Sequence, residues 1–184
     1  MNNPEFIVVH CTATTPDWMS KGSAYDKQDE IDKWHKARGW KGFGYHWMVD
    51  RDGVLVAGRK EAESAAAATG YNSNAIHIAL VGGFGSNEHD DFFDHFTEAQ
   101  FDTLMRLIEE IMKDHGVSVK KVIGHNQIAQ KACPGFNVPS FMKEYYGKYN
   151  LDQKVRQEGV SPSNGPVPNG IGVVLGWLGK LFRR

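Results

Sequence analysis

Two histidines and one cysteine have the residue types and spacing of a metal site. His125 and Cys133 lie close together in the segment HNQIAQKACPG, and His10 ends the apolar segment FIVVH far upstream. Imidazole nitrogens and a thiolate sulfur favour zinc over magnesium or calcium, which prefer oxygen ligands. Three protein ligands leave the fourth position of a tetrahedral zinc open, which is typical of a catalytic rather than a structural zinc.

Each of these residues also has a simpler interpretation. A histidine at the end of an apolar run, such as His10, is more often a hydrogen-bonded residue at the end of a strand, and a lone cysteine such as Cys133 is equally often a small buried hydrophobic residue. Two features favour the metal site. Both histidines follow predicted strands, at 6–9 and 121–123, and Cys133 comes soon after the second strand with Lys131 two residues before it.

Six segments occur in order between about residues 5 and 148: VVHCTAT, DKWHKARGW, GYHWMVDRDG, GYNSNAIHIALVGG, FTEAQ and HNQIAQKACPGF. Together they resemble the bacteriophage amidase-type lysozymes, which are zinc-dependent N-acetylmuramoyl-L-alanine amidases related to the peptidoglycan recognition proteins. The resemblance implies cleavage of the amide between N-acetylmuramic acid and L-alanine in peptidoglycan. It also implies specific site residues, with His10, His125 and Cys133 as zinc ligands and Tyr45 and Lys131 as catalytic residues.

The implied residues suit amide hydrolysis. Zinc lowers the pKa of a bound water to about 7 and polarises a carbonyl oxygen. The ammonium of Lys131 would stabilise the negative charge that develops on that oxygen. The hydroxyl of Tyr45 would position the attacking water or help to transfer protons. No glutamate adjoins a ligand histidine as in the HExxH helix of common metalloproteases, so that mechanism is disfavoured.

The elements that must position these residues alternate between strands and helices, which predicts an α/β fold with a central mixed β-sheet flanked by helices, as in the zinc amidases. Predicted strands lie at 5–10, 75–81 and 121–123, and a predicted hairpin joins 43–49 to 54–57 through the turn DRDG. A helix is predicted over 26–38. A second one starts at the capping-box pair Thr97 and Gln100 and ends at His115-Gly116.

Length and composition set further bounds. The chain has 184 residues and 41% hydrophobic content, enough for one good core, so we expect one catalytic domain over residues 1–149. A formal net charge of -1 gives no support to a nucleic-acid-binding class, and two cysteines do not suggest a disulfide framework. No signal segment and no run of about 18 apolar residues is found, so we expect synthesis and folding in a cytoplasm.

The C-terminal part differs in composition from the rest. Residues 150–170 are rich in charged residues, proline, glycine and serine, which predicts a flexible linker. Residues 171–184, IGVVLGWLGKLFRR, predict a cationic amphipathic tail helix. Fourteen residues span about 21 Å as a helix, too short for a hydrocarbon core of about 30 Å. We therefore expect the tail to contact an anionic membrane surface, the alternative being that it docks on the catalytic domain.

Several polar residues remain outside this scheme. Ala67 occupies the position at which many members of the family have a histidine, which affects substrate positioning rather than the metal site. His35, His46 and His77 could be hydrogen-bond partners of the metal ligands, but structural roles are expected for all three. The acidic, histidine-containing stretch 88–95 is interpreted as a solvated loop before a helix rather than a second metal site.

Taken together, the residues and the resemblance predict a monomeric phage endolysin. It would be made in the host cytoplasm and would reach the periplasm and cell wall after the membrane is permeabilised. Two alternatives stay open: a non-catalytic peptidoglycan-binding module on the same fold, and a regulator that binds the phage RNA polymerase.

Overall fold

A five-stranded mixed β-sheet forms the centre of the molecule. The computed structural model describes residues 4–158, with side chains through residue 150. The strands are Phe6–Cys11 for β1, Trp47–Val49 for β2, Leu55–Ala57 for β3, Ala75–Leu80 for β4 and Val122–Gly124 for β5. They lie in the order β3-β2-β4-β1-β5, in which β2 and β3 are antiparallel and all other neighbours are parallel. The predicted α/β class and mixed sheet are confirmed.

Within residues 4–158, four α-helices accompany the sheet: α1 at Ala24–Ala37, α2 at Phe92–His95, α3 at Glu98–His115 and α4 at Val138–Glu158. The predicted capping box is present at the start of α3, where the Thr97 hydroxyl accepts from the Gln100 N–H and the Gln100 side chain accepts from the Thr97 N–H. Helix α3 ends at Gly116, whose φ of 69° favours glycine. These local signals explain why the bounds of α3 were predictable.

The helices cover the two faces of the sheet with different residues. On one face, α3 and α4 pack against the strands around buried aliphatic side chains and an aromatic cluster of Phe92, Phe96, Phe101, Phe136 and Phe141. On the other face, α1 packs through Ala24 and Ile31 against Met48 and Val56. The structure therefore has the one main core that the composition predicted. It also has a second, smaller apolar cluster under α1.

The structure differs from the sequence prediction before β2. The predicted strand over 43–49 is a strand only from Trp47. Side chains of α1 bind the preceding backbone instead, because the Phe43 N–H donates to Asp32 Oδ1 and the Gly44 N–H donates to His35 Nδ1. A strand pattern in the sequence cannot reveal that these N–H groups are already occupied.

The end of α4 also differs from the predicted linker boundary. Helix α4 continues to Glu158, so residues 150–158 at the start of the predicted linker are helical. This segment contains helix-forming residues and no proline, and the first glycine after it is Gly159. The remainder of the predicted linker and the predicted tail 171–184 lie outside the described residues. Among residues 4–158, no helix is both long and apolar enough to cross a membrane.

Candidate metal centre

The two histidines and the cysteine meet at the carboxyl edge of the sheet. His10 is near the end of β1, the strand that lies between β4 and β5. His125 directly follows β5, which is parallel to β1, and Cys133 lies in the turns that precede α4. The possible ligand atoms of the three residues all lie within 4.8 Å of one another. The fold thus brings together three residues that are up to 123 positions apart in the chain.

The distances fit the donor set of a zinc site. His10 Nδ1 lies 3.8 Å from Cys133 Sγ, and the rings of His10 and His125 have centroids 4.7 Å apart. Tetrahedral zinc with ordinary Zn–N and Zn–S bonds separates a nitrogen and a sulfur ligand by about 3.6 Å. The N–H of Cys11 donates to Cys133 Sγ over 3.3 Å, which is suited to a sulfur that carries negative charge. The residues present therefore fit zinc.

Burial favours the protonation states that metal ligands need. His10 is 1% exposed, and desolvation, assisted by His77, His125 and Lys131, holds its pKa well below the usual range. Desolvation followed by the charge of Lys131 also lowers the pKa of His125. Both imidazoles are therefore neutral near pH 7, the form that binds a metal. The neighbouring Cys11 thiol and burial raise the pKa of Cys133, so a cation is needed there to stabilise the thiolate.

Tyr45 and Lys131 lie beside this cluster. The Tyr45 ring is 5.2 Å from the His10 ring and 5.5 Å from the His35 ring, measured between centroids. Burial of the ring raises the pKa of Tyr45 above its ordinary value, so the hydroxyl keeps its proton at neutral pH. Lys131 is exposed, two residues before Cys133, and its charge contributes to the lowered pKa values of His10 and His125. The structure thus brings all five predicted site residues together.

The backbone next to Tyr45 is fixed from two sides. Gly44 donates its N–H to His35 Nδ1 of α1 over 2.9 Å, and its carbonyl accepts from the Ala66 N–H over 2.9 Å. A Cβ at position 44 would collide with the Ala66 carbonyl oxygen, so the close approach requires glycine. These contacts determine where the Tyr45 side chain leaves the backbone.

Ala67 belongs to the loop that makes this contact. Its N–H and that of Ala68 both donate to Asn72 Oδ1 over 2.9 Å, so the loop is held by a side chain. Because Ala66, the preceding residue, bonds to Gly44, the loop lies next to the Tyr45 side of the centre. Position 67 contributes a methyl group there and no imidazole.

Three further histidines were expected to have structural roles. His35 accepts the Gly44 N–H, and His46 accepts the His77 N–H on Nδ1 and bonds through Nε2 to the Glu63 carbonyl. His77 differs, because its Nδ1 lies 2.9 Å from Nε2 of His10, one of the candidate ligands. The sequence allows this partner role, although it favours a structural one. The available signal was an unexplained imidazole inside the otherwise apolar strand AIHIAL, since buried polar groups need partners.

The acidic stretch 88–95 has local partners. The Asp91 side chain caps α2, and His95 Nε2 lies 2.7 Å from Asp90 Oδ2. Among the described side chains, no second group of three possible metal ligands occurs. Residues 88–91 are a largely exposed loop, as the sequence interpretation favoured, but residues 92–95 form the short helix α2, in which Phe92 is buried.

Comparisons with known proteins agree on one family. Residues 1–136 match the family described as N-acetylmuramoyl-L-alanine amidase. The endolysin of Enterobacteria phage T3 is 39% identical over 80% of this chain and 88% of its own length, and that of Escherichia phage T7 is 38% identical over 79% and 87%. The N-acetylmuramoyl-L-alanine amidase LysC from Clostridium intestinale has a similar structure, with a TM-score of 0.62 and 30% identity over 80% of this chain and 86% of that one.

Proposed function

The chain belongs to the N-acetylmuramoyl-L-alanine amidase family, and we propose that it is a phage endolysin that uses zinc to hydrolyse the amide between N-acetylmuramic acid and L-alanine in peptidoglycan. The observation that carries the proposal is the convergence of three residues at the carboxyl ends of the parallel strands. The possible ligand atoms of His10, His125 and Cys133 lie within 4.8 Å of one another. Two neutral imidazoles and a cysteine sulfur are a donor set for zinc with a position left for water or substrate.

When bound, zinc would supply an activated water and polarise the scissile carbonyl. The chain's own residues would do the rest. Lys131 is exposed on the turn that carries Cys133, so its ammonium can reach a carbonyl oxygen next to the three ligands and stabilise the negative charge on it. Tyr45 keeps its proton, so its hydroxyl would donate a hydrogen bond to the attacking water or to the departing amide nitrogen.

The biological setting follows from the relatives. Endolysins of phages T3 and T7 match most of this chain. We infer that the protein is made in the host cytoplasm and acts on the cell wall, from the periplasmic side, once the membrane has been permeabilised. Binding of residues 171–184 to anionic membranes remains a prediction about residues outside the described part of the chain.

The direct test is mass spectrometry of purified peptidoglycan digested by the full-length protein. Three samples are compared: the protein as purified, the protein stripped of metal with a chelator, and the stripped protein with zinc added back. We expect free stem peptides that begin with L-alanine in the first and third samples and an intact wall in the second. Cleavage within the glycan or the peptide cross-links would contradict the assignment.

The same assay separates the two alternatives. A non-catalytic peptidoglycan-binding module would sediment with the wall and release no peptides with or without zinc. Regulation of a phage RNA polymerase is a separate property, which a pull-down with the purified polymerase would detect. No contact in residues 4–158 favours it over wall hydrolysis, so amide hydrolysis is the function we assign.

A further inference from the structure

A line of hydrogen bonds runs from the candidate ligand His10 into β4. Nε2 of His10 lies 2.9 Å from Nδ1 of His77, and Nε2 of His77 lies 3.1 Å from the carbonyl oxygen of Tyr71. His10 is 1% exposed and His77 is 0% exposed, so water does not replace these partners. Each ring nitrogen in this line has one protein partner, which makes the direction of each hydrogen bond decidable.

The directions follow from the carbonyl at the end of the line. A carbonyl oxygen can only accept, so Nε2 of His77 carries the hydrogen. A fully buried imidazole without a carboxylate partner is neutral, so Nδ1 of His77 has a lone pair and accepts. Nε2 of His10 must then be the donor. A neutral His10 protonated at Nε2 has its lone pair on Nδ1, the atom that lies 3.8 Å from Cys133 Sγ.

The backbone of His77 is itself held in place by its neighbours in the sheet. Its backbone N–H donates to Nδ1 of His46 over 2.9 Å, and its carbonyl accepts from the His46 N–H over 3.0 Å. Strand β4 also pairs in parallel with β1, with Val8 opposite His77 and Ala79 opposite His10. The small side chain of Ala79 leaves space on that face for the His10 ring to reach His77.

We propose that His77 is a positioning residue for the metal centre, one that fixes the tautomer and ring orientation of His10 so that Nδ1 faces the metal. The proposal rests on the proposed function, because it assigns His10 as a zinc ligand. It assigns this role to a residue for which the sequence interpretation favoured a structural one. Removing such a hydrogen-bond partner of a ligand histidine weakens metal affinity by about 10- to 100-fold.

Two substitutions at one position separate the hydrogen bond from packing. In His77→Asn the side-chain oxygen lies close to where Nδ1 was and can still accept from His10, whereas in His77→Leu no acceptor remains. Zinc affinity is measured by competition with a chromophoric chelator. We expect His77→Leu to bind zinc about 10- to 100-fold more weakly than the unmodified protein and His77→Asn to lie within about threefold of it. The d–d absorption of the cobalt-substituted protein should change only in His77→Leu.

A matched control is Ile78→Ala, which removes a buried side chain from the next position of β4 on the opposite face of the sheet. It should lower the free energy of unfolding and leave zinc affinity and the cobalt spectrum unchanged. Equal zinc affinity and identical cobalt spectra in His77→Leu and the unmodified protein would overturn the proposal.

A measurement on the unmodified protein keeps the proposal testable if His77→Leu does not fold. Long-range ¹H–¹⁵N NMR spectra identify which ring nitrogen of each histidine is protonated. We expect protonated Nε2 in both His10 and His77, and protonated Nδ1 in His10 would overturn the proposal. Failure of the proposed function looks different, because the unmodified protein would then neither bind zinc nor release stem peptides, whatever its histidine tautomers.

Discussion

The two faces of the central sheet are made by the same strands but have different chemistry. Toward α3 and α4, alternate residues such as Val9 and Ile78 are aliphatic and join a large apolar core. Toward α1, their neighbours His10 and His77 are imidazoles that bond to each other. Since side chains alternate across a strand, one six-residue strand can supply core residues to one face and metal-site residues to the other.

This difference separates stability from chemistry within the domain. The α3–α4 face buries leucine, isoleucine and phenylalanine side chains that contribute free energy of folding, and Cys133 packs at its edge. The α1 face contains buried polar groups, including the ion pair of Lys27 with Asp50 at 2.7 Å, and each of these groups needs a specific partner. Substitutions on the two faces should therefore have separable effects.

The largest expected effect on activity is that of removing a ligand on the α1 side. His125→Ala should lose zinc binding and reduce amidase turnover by more than about a thousandfold, because neither water activation nor carbonyl polarisation remains. Zinc content and peptide release from peptidoglycan are measured on the same sample. Its circular dichroism spectrum should stay that of the folded protein, since the apolar core on the other face is unchanged. Retention of zinc and turnover would contradict the assigned ligand set.

Lys131→Ala should separate chemistry from metal binding on the same side. We expect turnover to fall by about 10²- to 10³-fold, the usual cost of losing one group that stabilises an oxyanion, while zinc affinity changes little. Kinetics of peptide release and chelator competition supply the two readouts. Lys120→Ala is a suitable control, because Lys120 is an exposed lysine in the short helical turn before β5. Undiminished turnover in Lys131→Ala would remove this residue from the mechanism.

Leu104→Ala tests the opposite face. Leu104 is 0% exposed in the core between α3 and the sheet. Its truncation should lower the free energy of unfolding by about 2–5 kcal/mol. Urea unfolding measures that loss, and peptide release measured well below the unfolding midpoint should be unchanged. A large fall in turnover with the fold intact would show that the two faces are coupled rather than separable.

The comparison also explains which features the sequence could reveal. The apolar runs of β1 and β4 and the capping box of α3 are local patterns, and each predicted its element. The contact of His10 with His77 depends on the parallel register in which Val8 lies opposite His77, and no local pattern records that register. Residues 43 and 44 were assigned to a strand because the sequence does not show that Asp32 and His35 bind their N–H groups.

The smallest expected effect is a pH dependence that belongs to the α1 face. Burial, followed by the charge of Arg38, lowers the pKa of His35 to about 4. The unfolded chain would bind a proton at this residue near the ordinary pKa of about 6.5. The full stabilisation that comes with a neutral His35 is therefore present above that pH. It is lost as the pH falls from about 6.5 to about 4. At pH 5 the loss amounts to about 2 kcal/mol relative to pH 7.

His35→Asn isolates this contribution, because the side-chain oxygen of asparagine lies close to where Nδ1 was, can still accept the Gly44 N–H and has no proton to gain. Urea unfolding at pH 7 and pH 5 gives the change in stability for each protein. We expect the change to be smaller in His35→Asn by about 2 kcal/mol, while the other buried histidines contribute equally to both proteins and cancel. Equal pH dependence in the two proteins would mean that His35 accepts a proton in the folded state. The α1 face would then accommodate a protonated imidazole. The two faces would in that case differ in the shapes of their side chains and not in whether they exclude a proton.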